Sequence, residues 1–378
     1  MPVIGLVAGE ASGDLLGAHL VAALCARRPD LRFEGIAGPR MIAAGVHALY
    51  PMEKLAVRGY VEVLRHYREI VGIRRNLKQH FLQSRPTAFI GIDAPDFNLG
   101  LELDLRNAGI TTLQYVSPSI WAWRGERIHL IKRAVDRVLA LFPFEQEIYD
   151  KAGIPVSYVG HPLADMLADY PAQKTVRAKL GITGDAPVIA LLPGSRVSEL
   201  KSMARLFISA GRCIAREMPS ARFLAPLVNQ QTRALLDAEL RREPDLSVQV
   251  LDGQSHDAIA AADVVLVASG TATLETALLQ RPMVITYRMP RISAWIMRGR
   301  GYQPYVGLPN ILAGEFVVPE LLQEDATPEA LARAVLELLR DAPRRARICE
   351  RFARMLMELR QNTAQKAADA VLPYLGSA

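Results

Sequence analysis

Short apolar runs alternate with longer amphipathic stretches along most of the chain. Val3 to Gly9 (VIGLVAG) leads into a helical pattern, and similar runs recur at Phe33 to Ala37, Ala88 to Ile92, Thr111 to Val116, Arg137 to Leu141 and Ser157 to Val159. A second series begins with Val188 to Gly194 (VIALLPG) and continues through Arg222 to Pro226, Ser247 to Leu251, Val264 to Ala268 and Met283 to Tyr287. Strand-length apolar runs alternating with helix-length segments predict mostly parallel, doubly wound sheets. Between the series, Leu163 to Asp185 is polar and turn-rich, with Pro171, Gly181 and Gly184. The pattern thus predicts an α/β chain of two nucleotide-binding-type domains, residues 1–168 and 169–345, facing each other across a cleft. From Thr327 it is helical: Pro328 and Glu329 open one helix, Pro343 interrupts, and Arg347 to Tyr374 forms a long final stretch. Residues 346–378 are expected to pack back on the first domain or on a partner chain.

Composition agrees with this division. The 378 residues, half of them hydrophobic, suffice for two cores at roughly 150 residues per domain. Cys25, Cys213 and Cys349 are far apart and have neither metal-site nor disulfide spacing, which favours a reducing compartment. The first strand begins at residue 3 with no basic segment before an apolar one, so no signal peptide is expected. No apolar stretch approaches the ~18 residues of a membrane span, so the expectation is a cytosolic protein or one lying on a membrane. The net charge of +6 points to an anionic partner, whether phosphate groups, anionic lipid or nucleic acid. Aromatic residues are only 6% and do not interleave with basic ones in the manner of RNA-binding chains.

Candidate chemistry lies where strands break into helices, because free N–H groups and the helix dipole there favour anions. After Val188 to Leu192 come Gly194, Ser195 and Arg196, with Glu199 and Lys201 close behind. The Arg196 guanidinium stays charged and donates in a planar fork, which suits a diphosphate, although a solvated arginine in a turn reads the same way. After Val264 to Ala268, Ser269, Gly270, Thr271 and Thr273 form a glycine-centred turn where a phosphate can approach backbone amides and hydroxyls. Glu275 follows and suits a ribose diol or, equally simply, the helix dipole.

In the first half, Gly91-Ile92-Asp93-Ala94-Pro95-Asp96-Phe97-Asn98 follows a strand. Pro95 suits the first position of a helix, placing Asp96 in its first turn and Asp93 at the strand's carboxyl end, where active sites of open α/β sheets lie. Asp96 is a candidate general base; the alternative is a carboxylate complementing the dipole. The first turn, with Glu10, Ser12, Gly13 and Asp14, lacks the G-x-G-x-x-G fingerprint and argues against a dinucleotide site. Tyr115 to Trp123 (YVSPSIWAW) reads as core packing, with Arg124, Arg127 and Lys132 placed to wall an anion-holding cleft. His161 reads as a hydrogen-bonded structural histidine. No metal constellation is visible, so a metal-free site without cofactor is expected. Two basic-apolar stretches, Val61 to Arg85 and Ile292 to Tyr305, fit either ordinary surface helices or helices lying in a headgroup region.

In order, GEASGD (9–14), GIDAPDFN (91–98), YVSPSIWAW (115–123), LPGSR (192–196), ASGTATLE (268–275) and GLPNI (307–311) make the chain closely similar to lipid-A-disaccharide synthases. The resemblance implies the GT-B glycosyltransferase fold, two Rossmann-like domains flanking a cleft. It also implies transfer of 2,3-diacylglucosamine from UDP to 2,3-diacylglucosamine 1-phosphate, with inversion, giving a β-1,6 disaccharide and UDP. The setting it implies is the inner face of the cytoplasmic membrane in Gram-negative lipid A synthesis. By motif, Asp96 becomes the candidate base with Asp93 beside it. Gly194, Ser195, Arg196, Ser269, Gly270, Thr271 and Thr273 hold the diphosphate, Glu275 the ribose, and Asn310 lines the donor cleft. Glu10, Ser12, Gly13 and Asp14 fall on the acceptor side. A homodimer with exchanged C-terminal parts is a further implication. The residues alone leave two alternatives open: a UDP-N-acetylglucosamine 2-epimerase-like enzyme, and a non-catalytic peripheral membrane protein that binds nucleotide or lipid.

Overall fold

The computed structural model describes residues 1–55, 60–122, 124–288 and 304–376, with residues 60–67 as backbone alone. The chain divides into two compact units, Met1–Asp165 joined by Leu359–Ala378, and Met166–Glu358. The stretch Ile292 to Tyr305 falls almost wholly outside the described residues, as does Trp123.

The first unit is a seven-stranded parallel sheet in the order β3-β2-β1-β4-β5-β6-β7. Its strands are β1 (Val3–Ala8), β2 (Arg32–Ala37), β3 (Val46–Pro51), β4 (Ala88–Ile92), β5 (Thr111–Tyr115), β6 (Arg137–Ala140) and β7 (Val156–Tyr158). The central strands β1 and β4 are almost wholly buried because helices cover both faces of the sheet. On one face, Leu16, Leu20 and Leu24 of the helix Ala11–Arg27 pack on Ile4, Leu6 and Ile90, and Ala367, Ala368 and Val371 of the last helix join the same cluster. On the other, Ile73, Leu77 and Phe81 of the helix Tyr60–Ser84 pack on Val7 and Phe89. That part of the basic-apolar stretch Val61 to Arg85 is therefore core, and Arg68 and Arg75 on the same helix are exposed.

The second unit has β8 (Val188–Leu192), β9 (Arg222–Leu227), β10 (Val248–Asp252), β11 (Val264–Ala268), β12 (Met283–Tyr287) and β13 (Glu320–Leu322) in the order β10-β9-β8-β11-β12-β13, again parallel. In both units the strand order reverses beside the first strand, at β1/β4 and at β8/β11. Crevices at such reversals, beyond the carboxyl ends of the strands, are where open α/β sheets bind ligands.

Three details depart from the sequence pattern. Strands β3 and β13 were not signalled, since each is a partly exposed edge strand without a continuous apolar run. The polar stretch 163–185 contains two short helices, Pro162–Leu167 and Gln173–Lys179. The final stretch is two helices, Ala342–Leu359 and Thr363–Val371, parted at Asn362, whose φ of +55° is left-handed. Asp165 secures that break, because its carboxylate oxygens accept the backbone N–H groups of Asn362 (3.0 Å) and Thr363 (2.7 Å).

Candidate functional site

In the second unit, the turns after β8 and β11, more than 70 residues apart in sequence, meet at one cavity of about 420 Å³. Gly194, Ser195, Arg196, Ser269, Gly270, Thr271 and Glu275 all line it. Two helices begin there, Val197–Glu217 and Thr271–Leu278. Gly270 has φ of +154°, and a Cβ added to it would meet open space, so the backbone itself faces the cavity. By position, the N–H groups of Thr271 and Ala272 have no acceptor within their helix.

The turn after β8 differs in one respect that its sequence did not show. Glu199 folds back, and its Oε2 accepts the N–H groups of Ser195 (2.9 Å) and Arg196 (3.1 Å). A carboxylate of the chain itself thus occupies the anion-binding end of the helix Val197–Glu217. Gly194, at φ of +129°, lies against that carboxylate; a Cβ there would be 2.6 Å from Glu199 Cβ and Oε2. The Arg196 guanidinium is more than half exposed and stands 3.5 Å from Glu199 Oε1. What this turn offers a ligand is Arg196 and the Ser195 hydroxyl, while the turn after β11 offers backbone.

Two residues expected at this site sit behind it. Thr273 is buried, and its hydroxyl donates to the Gly270 carbonyl at 2.8 Å, bracing the glycine turn. Asn310 is also buried: its Nδ2 donates to the Val318 carbonyl (2.9 Å) and Glu320 Oε1 (2.8 Å), and its Oδ1 accepts the Val318 N–H. Glu320 in turn accepts the N–H groups of Val306 and Gly307, so Asn310 organises the loop before it. His256, which sequence reasoning did not single out, has Nε2 at 3.4 Å from Glu275 Oε2 and its ring edge-on to Tyr170. Its only sequence signal is its place at the start of the helix Ser255–Ala261 that follows β10.

In the first unit, the turn after β4 borders a cavity of about 610 Å³ lined by Glu10, Asp93, Asp96, Ile70, Arg74 and Arg124, among others. Pro95 opens the helix Pro95–Asn107 with Asp96 in its first turn. Asp93 and Ala94 take φ of +54° and +42°, left-handed values that cost non-glycine residues of order 1 kcal/mol each. The Asp96 side chain is 78% exposed and pairs with Arg127 and, at 3.5 Å, Arg124. Asp14 takes another part: it is buried, and its two oxygens accept the N–H groups of Met41 (2.9 Å) and Arg40 (3.0 Å), fastening the helix Pro39–Ala43. Glu10 borders the cavity, whereas Ser12 and Gly13 lie within the helix Ala11–Arg27.

The YVSPSIWAW segment packs as core where it is described. Tyr115 is buried, Ser117 and Tyr149 share a 2.7 Å hydrogen bond, and Trp121 Nε1 donates to Glu145 Oε1 at 3.1 Å. Burial pushes the Glu145 carboxyl up to about 7 against the opposing N–H of Phe142. His161 is structural: burial lowers it to about 4, Nδ1 accepts the Leu163 N–H, and its ring stacks on Phe142. Among the described residues, no three His, Cys, Asp or Glu side chains gather as metal ligands, and no helix is long and apolar enough to cross a membrane.

Comparison with known proteins places these turns in context. The family model described as lipid-A-disaccharide synthetase matches residues 4–372. Lipid-A-disaccharide synthase of Methylobacillus flagellatus is 56% identical over 377 residues, covering 99% of this chain and 100% of that protein. Among solved structures, UDP-GlcNAc 2-epimerase from Neisseria meningitidis, bound to UDP-GlcNAc, has a TM-score of 0.62 at 12% identity and 99% coverage of both chains. Anabaena Alr3699/HepE in complex with UDP and glucose has a TM-score of 0.58 at 14% identity and 100% coverage of both. The structural likenesses establish the fold, two parallel-sheet α/β units of GT-B type.

Proposed function

The chain belongs to the lipid-A-disaccharide synthetase family, and from that premise we infer the roles of its two cavities. It is a glycosyltransferase that forms the lipid A disaccharide. We propose UDP-2,3-diacylglucosamine as donor and 2,3-diacylglucosamine 1-phosphate as acceptor. The observation that carries this reading is the convergence of Arg196, Ser269, Gly270 and Thr271 on one cavity of about 420 Å³. A helix N-terminus, a guanidinium and hydroxyls together suit a diphosphate. Glu275, on the same wall, accepts the ribose hydroxyls, and Thr273 and Asn310 act by holding the glycine turn and the 306–310 loop in place.

We propose a single inverting displacement. Asp96, with Asp93 as its neighbour, takes the proton from the acceptor hydroxyl as its oxygen attacks the anomeric carbon. The bond from that carbon to the diphosphate breaks on the opposite side, UDP leaves with the electron pair, and the configuration inverts to a β-1,6 linkage. Arg127 and Arg124 aim the Asp96 carboxylate. Arg196 and the Thr271 helix terminus offset the charge growing on the departing diphosphate, which removes the need for a metal.

The acceptor lies over the first-unit cavity, where Ile70 and Val71 offer apolar surface to acyl chains and Arg74 a cation. A peripheral position on the inner face of the cytoplasmic membrane follows from substrates of this kind, and a homodimer with exchanged C-terminal parts from the resemblance. Mass spectrometry of products formed from UDP-diacylglucosamine and the monosaccharide 1-phosphate, in EDTA, tests the reading. The expected outcome is the disaccharide 1-phosphate with UDP released one for one. The manno epimer from UDP-N-acetylglucosamine, without disaccharide, would favour the epimerase alternative.

A further inference from the structure

Beneath the turn that carries Asp93 and Asp96 lies a buried polar group that the proposed mechanism does not use. Asn98 and Glu102, one turn apart on the helix Pro95–Asn107, and Gln114 on β5 are completely buried. Asn98 Nδ2 donates to the carbonyl oxygens of Asp93 (2.9 Å) and Val7 (3.4 Å). Gln114 Nε2 donates to the carbonyl oxygens of Asp93 and Val116, both at 3.1 Å. Two amide side chains therefore grip the carbonyl of Asp93, in the left-handed pair just before the helix that presents Asp96.

The atoms left over are all oxygens. Asn98 Oδ1, Gln114 Oε1 and both carboxyl oxygens of Glu102 are buried without a hydrogen-bond partner. Glu102 and Gln114 both reach the space over Gly91: a Cβ added there would collide with Glu102 Oε1 and lie 2.9 Å from Gln114 Oε1. Turning either amide over would set its oxygen against the backbone carbonyls it now serves, so the amides cannot provide a donor to one another or to Glu102. An ionised Glu102 would add charge to a set of unpaired acceptors in a dry site. Only a carboxylic acid has the O–H that this set lacks.

We propose that Glu102 carries a proton and, by donating it to an amide oxygen of the Asn98–Gln114 pair, acts as a positioning residue that fixes the Asp93 carbonyl and through it the place of Asp96. The proposal rests on Asp96 being the base. Burial supports it independently, pushing the Glu102 carboxyl well above the usual carboxylate range, with the Gly91 backbone opposing only in part. Among the described residues on this helix and the elements packed around it, three cations are paired with carboxylates other than Glu102. Lys78 pairs with Asp104, Arg106 with Asp136 and Arg127 with Asp96, while Arg74 lies against Gly100. Strands β4 and β5 bring no charged side chain.

Infrared difference spectra of the full chain, wild type against Glu102→Gln, test the proton directly. The expected result is a protonated-carboxyl carbonyl band at neutral pH that the variant lacks; its absence overturns the proposal. Denaturation across pH gives a second reading. The folded state holds this proton above the unfolded-chain pKa of about 4.3, so wild-type stability should fall as pH rises above that value, and less so in Glu102→Gln. Equal pH dependence would count against the proposal.

The positioning role is read by kinetics. Glu102→Gln keeps a donor and should turn over near the wild-type rate. Glu102→Leu keeps volume without a donor and should lose roughly 100-fold in kcat with little change in KM, the scale of an ~1 Å misplacement. An unchanged kcat in Glu102→Leu refutes positioning, and should that variant fail to fold, the band and the pH profile still decide. Full activity in Asp96→Asn with the Glu102 band present would sink the base assignment alone; a missing band with Asp96→Asn inactive would sink only the Glu102 inference.

Discussion

The two units use one backbone device to opposite chemical ends. In each, two adjacent central strands, β1 and β4 or β8 and β11, run in parallel into helix N-termini at the point where strand order reverses. All four turns therefore stand at the positive end of a helix dipole. In the second unit glycine, hydroxyls and Arg196 surround that field, and the cavity suits an anion. In the first unit Glu10, Asp93 and Asp96 line the cavity instead, with Asp96 paired to Arg127 and Arg124. Fold sets the field, and a few side chains at the strand ends set its use. Glu199 blurs the contrast, since one carboxylate also serves a helix start in the second unit and leaves Arg196 as the turn's outward charge.

The comparison breaks most sharply at Asp96. If the acidic turn is the reactive one, Asp96→Asn should lower kcat by about 10²- to 10⁴-fold, the usual range for a positioned base, while calorimetry finds UDP affinity near wild type. Full turnover in a radiolabelled-acceptor assay would end the contrast. On the other side, Arg196→Ala should weaken UDP binding by roughly 10-fold, a modest value for a charged hydrogen bond because this guanidinium is more than half exposed. Unchanged affinity would move the diphosphate wholly onto the turn after β11.

The smallest effect on activity is expected at Glu145, a first-unit carboxyl away from both cavities. Its folded pKa is about 7, above the unfolded value of about 4.3, so its contribution is fully present below pH ~4 and lost as pH rises through 7. At about 1.4 kcal/mol per unit, wild type should lose on the order of 2–3 kcal/mol between pH 5 and 7.5 from this group. Urea denaturation at the two pH values should show a smaller loss in Glu145→Gln, with turnover nearly unchanged. Equal losses would mean that another carboxyl sets the profile.

Much of this architecture was legible one segment at a time. Burial on both faces of a parallel sheet demands unbroken apolar runs, so most strands announced themselves, and Pro95 and Gly270 marked their helix starts correctly because each reflects its own φ preference. Edge strands β3 and β13 escaped because half-exposed strands need no such run. Among site residues, what a side chain is free to do was not legible. Asp165 caps a helix starting at residue 363, Asp14 serves Arg40 and Met41, Glu199 occupies the amides of Ser195 and Arg196, and Asn310 is spent on its own loop.

Sequence by itself determined where strands end and which residue types gather there, because local periodicity and backbone preference are properties of neighbouring positions. Only the tertiary structure decided which polar atom meets which. A buried donor must be satisfied by whatever the fold brings within about 3 Å, and Asn98 and Gln114 find their acceptors in Val7 on β1 and in the carbonyl of Asp93.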